Sequence, residues 1–382
     1  MSSPSIFRDP DLSLVVKVRH VSLLFLFLIT LVALCGFLAL YSAGNGSLHP
    51  WAIRQIYRFL FGIFILLAVA LVDIQFWLRA AYPIYGVALL MLLAVDVFGH
   101  VGMGAQRWIS LGGFQIQPSE VMKVALVLAL ARHFHASTWE GAGRVRHLVL
   151  PTLLVLLPVA LVMKQPDLGT AVILIGLGGV MFFLSGVRIW MFGVGLALVL
   201  ASLPVAWRFL HDYQRQRIMT FFEPQNDPMG AGYHILQSKI ALGSGGFFGK
   251  GFLGGTQSHL NFLPEKQTDF IFTLIAEEWG LLGGAVVLFL YAMVIAYCFL
   301  IGLRARNHFG RLLALGLGTN LFFYVFINVG MVMGLLPVVG VPLPLISYGG
   351  TAMLAVLWGM GHVMCVSIHR DVRLSRTGQF EE

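Results

Sequence analysis

The sequence predicts an all-α integral membrane protein with ten transmembrane helices, one long extracytoplasmic loop and both termini in the cytoplasm. Three observations carry this reading. Of 382 residues, 58% are hydrophobic and only 11% charged, with a mean hydropathy of +0.85, whereas a soluble domain is about 25% charged. The apolar residues fall into runs near the length at which a helix crosses a bilayer with every backbone N–H and C=O paired internally. The net charge of +8 is spread over short connecting segments, as the positive-inside rule requires, and is not gathered into a tract suited to nucleic acid.

The predicted spans are 21–43, 52–72, 78–99, 119–134, 147–163, 168–185, 189–208, 268–303, 309–336 and 343–368. They divide the chain into a cytoplasmic segment 1–20, a membrane domain 21–368 containing a large extracytoplasmic loop 209–267, and a cytoplasmic tail 369–382. The first span follows Arg8, Lys17 and Arg19 and lacks a small-residue cleavage site, so it reads as a retained helix. Pro83 and the glycines of 340–350 mark kinks or broken helices, and the eighth span is long enough to tilt. With the N-terminus inside, Arg79, Arg132, Arg144, Arg146, Arg188, Arg304, Arg306, Arg311, Arg370, Arg373 and Arg376 are cytoplasmic. The short outside loops then hold Arg54, Arg58, Arg107 and Lys164. Cys35, Cys298 and Cys365 lie in three different spans, so neither a disulfide nor a metal spacing is expected.

In this orientation every even-numbered span starts outside. The fourth, sixth and eighth begin at "QPSEVMK", "QPDLGT" and "LPEKQTDFIF", each with proline at or before its first turn, where the missing N–H costs nothing. These are good helix starts in their own right, but acids and cations accompany them. Glu120 and Lys123, at i and i+3, share a helix face, and intramembrane ionisable pairs either mark a functional interior or lock helices together. The long loop reads as short helices on the membrane surface. Its glycines at Gly243, Gly245, Gly246, Gly249, Gly251, Gly254 and Gly255, beside Lys250, either cradle an anion with free N–H groups or merely supply flexibility.

One membrane face thus gathers Arg107, Glu120, Lys123, Asp167, Arg215, Arg217, Lys239, Lys250, Glu265 and Asp269. Mixed charge beside an apolar wall suits a ligand with an anionic head and a lipid tail, its phosphate received by cations and helix N-termini. If that phosphate is a leaving group it departs already ionised, and the remaining need is a base for the attacking hydroxyl. Asp269, in the first turn of the eighth span with Lys266 nearby, is the base candidate, and an ordinary helix cap is its structural alternative. Glu265 reads as loop-exposed; Glu277 and Glu278 lie about 12 Å further along the axis and read as structural.

The segments "GAQRWISLGGFQIQPSE", "QPDLGTA", "DPMGAGYHILQSKIALGSGGFFGKG", "FLPEKQTDFIFTLIAEEWG" and "NVGMVMGLLPVVGVPLPLISYGG" run in order from Gly104 to Gly350. Together they resemble the successive signatures of the SEDS family of bacterial cell-wall proteins, and are closer to its elongation branch than to its division branch. The resemblance implies a peptidoglycan glycosyltransferase in the bacterial cytoplasmic membrane. It would polymerise lipid II on the outer face, release undecaprenyl pyrophosphate and work with a class B penicillin-binding protein that crosslinks the strand. It implies Asp269 as the essential acid, and Arg107, Trp108, Glu120 and Lys123 as shapers of the substrate cavity. Asn261 and Gln267 stand where many members of the family carry Glu and His, so a mechanism needing a second carboxylate or an imidazole there does not apply. No cofactor follows from the residues, and whether a divalent cation assists the diphosphate is left open. Two readings from other classes stand beside the enzyme: a lipid II flippase, which needs polar residues lining both leaflets, and a scaffold for which Asp269 is dispensable.

Overall fold

The computed structural model describes residues 13–102, 105–111, 114–136, 145–209, 215, 219–220, 231–259 and 265–375. The fold is helical almost throughout. A short α1 (Leu14–Arg19) precedes α2 (Leu23–Ala43), α3 (Ala52–Leu71) and α4 (Ile74–Phe98). After a small sheet come α5 (Pro118–Ala136), α6 (Val145–Lys164), α7 (Leu168–Leu184) and α8 (Ile189–Phe209). Two short helices, α9 (Ala231–Ser244) and α10 (Thr256–His259), lead to α11 (Ile271–Arg304), α12 (His308–Val332) and α13 (Gly350–Ile368).

Among the described residues, seven helices are long and apolar enough to cross a membrane: α2, α3, α4, α6 from His147, α11, α12 and α13. The other three expected spans are also helical. However, α5 carries Glu120, Lys123, His133 and His135 in its 19 residues, and α7 has only 17. Pro83 sits inside a continuous α4. Several helices begin with a side-chain cap: Ser22 Oγ accepts from Phe25 N, Asp167 from Thr170 N and Asn307 from Gly310 N.

The purely helical expectation needs one correction. Residues 100–116, read as a loop, contain a three-stranded antiparallel sheet of β1 (His100–Gly102), β2 (Ala105–Leu111) and β3 (Phe114–Ile116) in the order β1-β2-β3. The signal was local. "AQRWISL" is a short run with β-formers, and Gly112-Gly113 is a pair suited to a two-residue hairpin connection.

Helices in lipid associate through close packing, and small residues mark the contacts. Along α3 and α13, a Cβ on Gly62 would fall 2.2 Å from Leu357 Cδ1, and one on Gly361 would fall 2.8 Å from the Leu66 carbonyl. Most residues of α12 and α13 are buried. Both pack on α5 and on each other, so the polar N-terminal turn of α5 is enclosed.

Candidate active site

The turn 265–270 and the start of α11 hold Asp269. Within the turn Glu265 is not a solvated loop acid: its carbonyl accepts from Thr268 N (3.0 Å) and its Oε2 from Thr268 Oγ1 (3.0 Å). Phe270 occupies the N-cap position, so Asp269 sits one residue ahead of the cap and not in the first turn. It is half-buried. Its carboxylate faces Gly340, where a Cβ would stand 3.5 Å from Oδ2, and its carbonyl accepts from Asn328 Nδ2 at 3.0 Å. Lys266 in the same turn is buried, and desolvation pushes its ammonium pKa down.

The segment between α12 and α13 wraps this turn. Ser347 Oγ donates to Thr268 O at 2.6 Å, Tyr348 N to Gln267 O at 2.8 Å, and Gln55 Nε2 of α3 to Ser347 O at 2.7 Å. One turn along α3 from Gln55, the Arg58 guanidinium lies 4.7 Å from the Tyr348 ring centroid. A Cβ on Gly350 would come within 3.0 Å of Arg58 Nε. Glycine there lets the cation lie across the first residues of α13. Arg58 Nη1 is buried and has no hydrogen-bond partner.

A second cluster adjoins this wrapping segment, because a Cβ on Gly169 of α7 would meet Val341 Cγ2 at 2.7 Å. Asp167 caps α7: Oδ1 accepts from Thr170 N, and Oδ2 accepts from Thr170 Oγ1 at 2.9 Å and Gln117 Nε2 at 3.2 Å. Arg107 on β2 donates from Nε to the Gln165 carbonyl (3.2 Å) and from Nη2 to the Pro166 carbonyl. Trp108 is partly buried and opposes His100 in the sheet register. The missed strands therefore carry Arg107 to the start of α7.

Glu120 and Lys123 are paired at 2.7 Å, with side chains 3% and 1% exposed. Tyr324 of α12 donates its hydroxyl to Glu120, and Lys123 Nζ lies 4.1 Å from the Tyr324 ring centroid. The group bolts α5 to α12. Lys239 on α9 is exposed and runs over Gly334, where a Cβ would fall 2.1 Å from its Cε. Its neighbour Ser238 ties α9 to Thr273 (2.9 Å) and to the Val332 carbonyl (2.8 Å). Arg215 donates to the Arg208 carbonyl at 3.0 Å. Arg8, Arg144, Arg217, Asn261, Pro264 and Arg376 lie outside the described residues.

Lys250 and the glycines, read as either an anion cradle or a flexible stretch, pack against a break in α11. Gly280, at φ 69° and ψ −165°, breaks α11. Lys250 N and Gly251 N donate to the freed Glu277 and Glu278 carbonyls at 3.1 and 3.0 Å, while Leu281 N and Leu282 N donate to Gly246 and Phe247 carbonyls at 2.9 and 3.2 Å. A Cβ on Gly249 would lie 2.1 Å from the Glu278 carbonyl oxygen, so only glycine fits. These N–H groups serve a helix break and not an anion. Lys250 Nζ is paired with the fully buried Glu277 at 2.7 Å, and Ser42 donates to Glu278, which gives both acids a structural place.

Asn328, Gln55, Arg58, Gln117, Ser347 and Tyr348 were not singled out in the sequence. An intramembrane Asn such as Asn328 is the kind of signal that could have found one of them. Among the described residues no three His, Cys, Asp or Glu side chains meet as a metal site.

Comparison with known proteins agrees with this architecture. A peptidoglycan glycosyltransferase of Escherichia coli K12, MrdB, is 46% identical over 320 residues, covering 84% of this chain and 86% of that protein. The peptidoglycan glycosyltransferase RodA of Treponema pallidum is 32% identical, with 90% and 97% covered. Among solved structures, a chain of a peptidoglycan synthase complex superposes with a TM-score of 0.80 at 33% identity, and the rod shape determining protein RodA of Thermus thermophilus with 0.69 at 31%. Each covers 91% of this chain and 97% of its own. The profile of the FtsW/RodA/SpoVE cell cycle proteins matches residues 17–372. The chain, a multi-pass helical membrane protein, belongs to the FtsW/RodA/SpoVE family.

Proposed function

We propose that this chain is a peptidoglycan glycosyltransferase that polymerises lipid II during cell elongation, with Asp269 as general base. The observation that carries the reading is the setting of Asp269. It is a half-buried acid facing Gly340, on a turn whose carbonyls are held by Asn328, Ser347 and Tyr348, and the Tyr348 ring carries an arginine whose buried Nη1 has no hydrogen-bond partner. The names of its relatives point the same way.

In the proposed step Asp269 takes the proton of the acceptor sugar hydroxyl as that oxygen bonds to the anomeric carbon of the donor. The bond from that carbon to the diphosphate breaks, and undecaprenyl diphosphate leaves as an anion without a general acid. Arg58, beside the N-terminus of α13, is the cation available to receive phosphate charge. Lys239, over Gly334, and Arg107, at the start of α7, supply further positive charge, while Glu120, Lys123 and Asp167 shape the wall. Lys250 is committed to Glu277 and Arg215 has no assigned step.

The same proposal places ten helices across the cytoplasmic membrane, both termini inside, the site facing outside, and a class B penicillin-binding protein as crosslinking partner. A complex coordinating polymerization and crosslinking among the similar structures supports that partner. Purified protein supplied with labelled lipid II tests the reading. Glycan chains from the wild type and none from Asp269→Ala support the enzyme. Lipid movement across vesicles without chain growth favours the flippase, and chain growth by Asp269→Ala refutes the assigned base.

A further inference from the structure

Asn328 lies in the last part of α12 and is fully buried. Its Nδ2 group carries two hydrogens, and they reach two carbonyls from different parts of the chain: Asp269 at 3.0 Å and Val341 at 2.7 Å. Turning the amide over would set its oxygen against both carbonyls, so the partners fix its orientation. Its own Oδ1 is buried with no partner. An apolar side chain would avoid the cost of that orphan oxygen. What the residue supplies is therefore the pair of donors.

Those donors join the two segments whose spacing matters to the acid. One carbonyl belongs to Asp269, and the other to the residue after Gly340, the glycine that the Asp269 carboxylate faces. Two neighbouring bonds act in the same sense, Ser347 Oγ to Thr268 O and Tyr348 N to Gln267 O. Three consecutive carbonyls, 267 to 269, are thus held from outside the turn. Ser347 Oγ also accepts from Leu343 N at 2.8 Å, but among these donors it is Asn328 that holds the Asp269 carbonyl itself together with the residue next to Gly340.

We propose that Asn328 is a positioning residue for the transfer step: by clamping the Asp269 and Val341 carbonyls together it sets where the Asp269 carboxylate stands over Gly340, without touching a reacting atom. This rests on the reading of Asp269 as base.

The test uses the full-length chain in liposomes with labelled lipid II. Asn328→Leu removes both donors and the orphan oxygen at similar volume, while Asn328→Asp removes the donors isosterically. The expected result for Asn328→Leu is a cooperative thermal transition lowered by the loss of two hydrogen bonds but still present, an unchanged KM, and kcat lowered about 10- to 100-fold, the scale of a misplaced catalytic group. In the Asp269→Ala background the same substitution should lower the residual rate no further, because the residue it positions is gone. Asn328→Asp should lower kcat at least as much. Wild-type kcat in a folded Asn328→Leu overturns the proposal. So does a lost thermal transition, a joint change of kcat and KM, or an independent loss in the Asp269→Ala background, each of which marks a structural role. If Asp269→Ala itself still makes chains, the reading of the base fails and not only that of its support.

Discussion

Lys250→Met separates a structural lysine from a substrate-binding one. Lys250 Nζ pairs with Glu277 at 2.7 Å, and the Glu277 side chain is 0% exposed while that of Lys250 is 24% exposed. Removing one partner of a buried pair costs about 3–5 kcal/mol when the other charge is left uncompensated. Here Gln257 N (2.9 Å) and Thr256 Oγ1 (3.2 Å) still donate to Glu277, and the lysine is partly solvated. The expected loss is therefore nearer 2–3 kcal/mol. It should appear as a drop of several degrees in the thermal transition of the purified protein in detergent. Glu277→Gln added to Lys250→Met removes the stranded charge and should recover most of the loss. KM for lipid II should stay at the wild-type value in whichever variants remain folded. An unchanged transition together with a tenfold rise in KM would show that Lys250 meets the substrate and that the assignment to the helix break is wrong.

Three further outcomes follow from the same geometry. Gly249→Ala should destabilise by more than the ~1 kcal/mol of a left-handed alanine, since its Cβ also meets the Glu278 carbonyl at 2.1 Å; a melting curve like that of wild type would contradict this. Tyr324→Phe removes the hydroxyl donor to the buried Glu120 and should cost about 1–3 kcal/mol, read by thermal unfolding, with Lys123 still paired. Arg58→Ala should lower kcat/KM by about 10- to 100-fold, the equivalent of one charge-assisted contact, with Arg58→Lys recovering part; full activity in Arg58→Ala would remove it from the phosphate site.

The helices were legible because each carries its own evidence. A run such as 23–43 is apolar throughout, and caps and prolines announce its neighbours. Asp269 was legible for the same reason, as an acid at the edge of an apolar run. The sheet was harder to see, since its strands are short and sit inside what looked like one outside loop. The contacts of Lys250 and Gly251 with α11 could not be read in the sequence because the groups they meet, the Glu277 and Glu278 carbonyls, are freed by a break at Gly280 that lies about 30 residues away in the chain. Glu120 and Lys123 could be paired from their spacing, but their partner Tyr324 is brought by packing of α12 on α5. Asn328 and Arg58 matter through what lies across from them, and a single chain read in one dimension carries no record of that.

The account turns on the carboxylate of Asp269, and Asp269→Asn tests it with the least disturbance of shape. Turnover of labelled lipid II by the purified variant should fall by about 10²- to 10⁴-fold, the range of a lost general base, with lipid II binding and the thermal transition retained. A folded Asp269→Asn protein that elongates glycan strands at the wild-type rate would contradict the account.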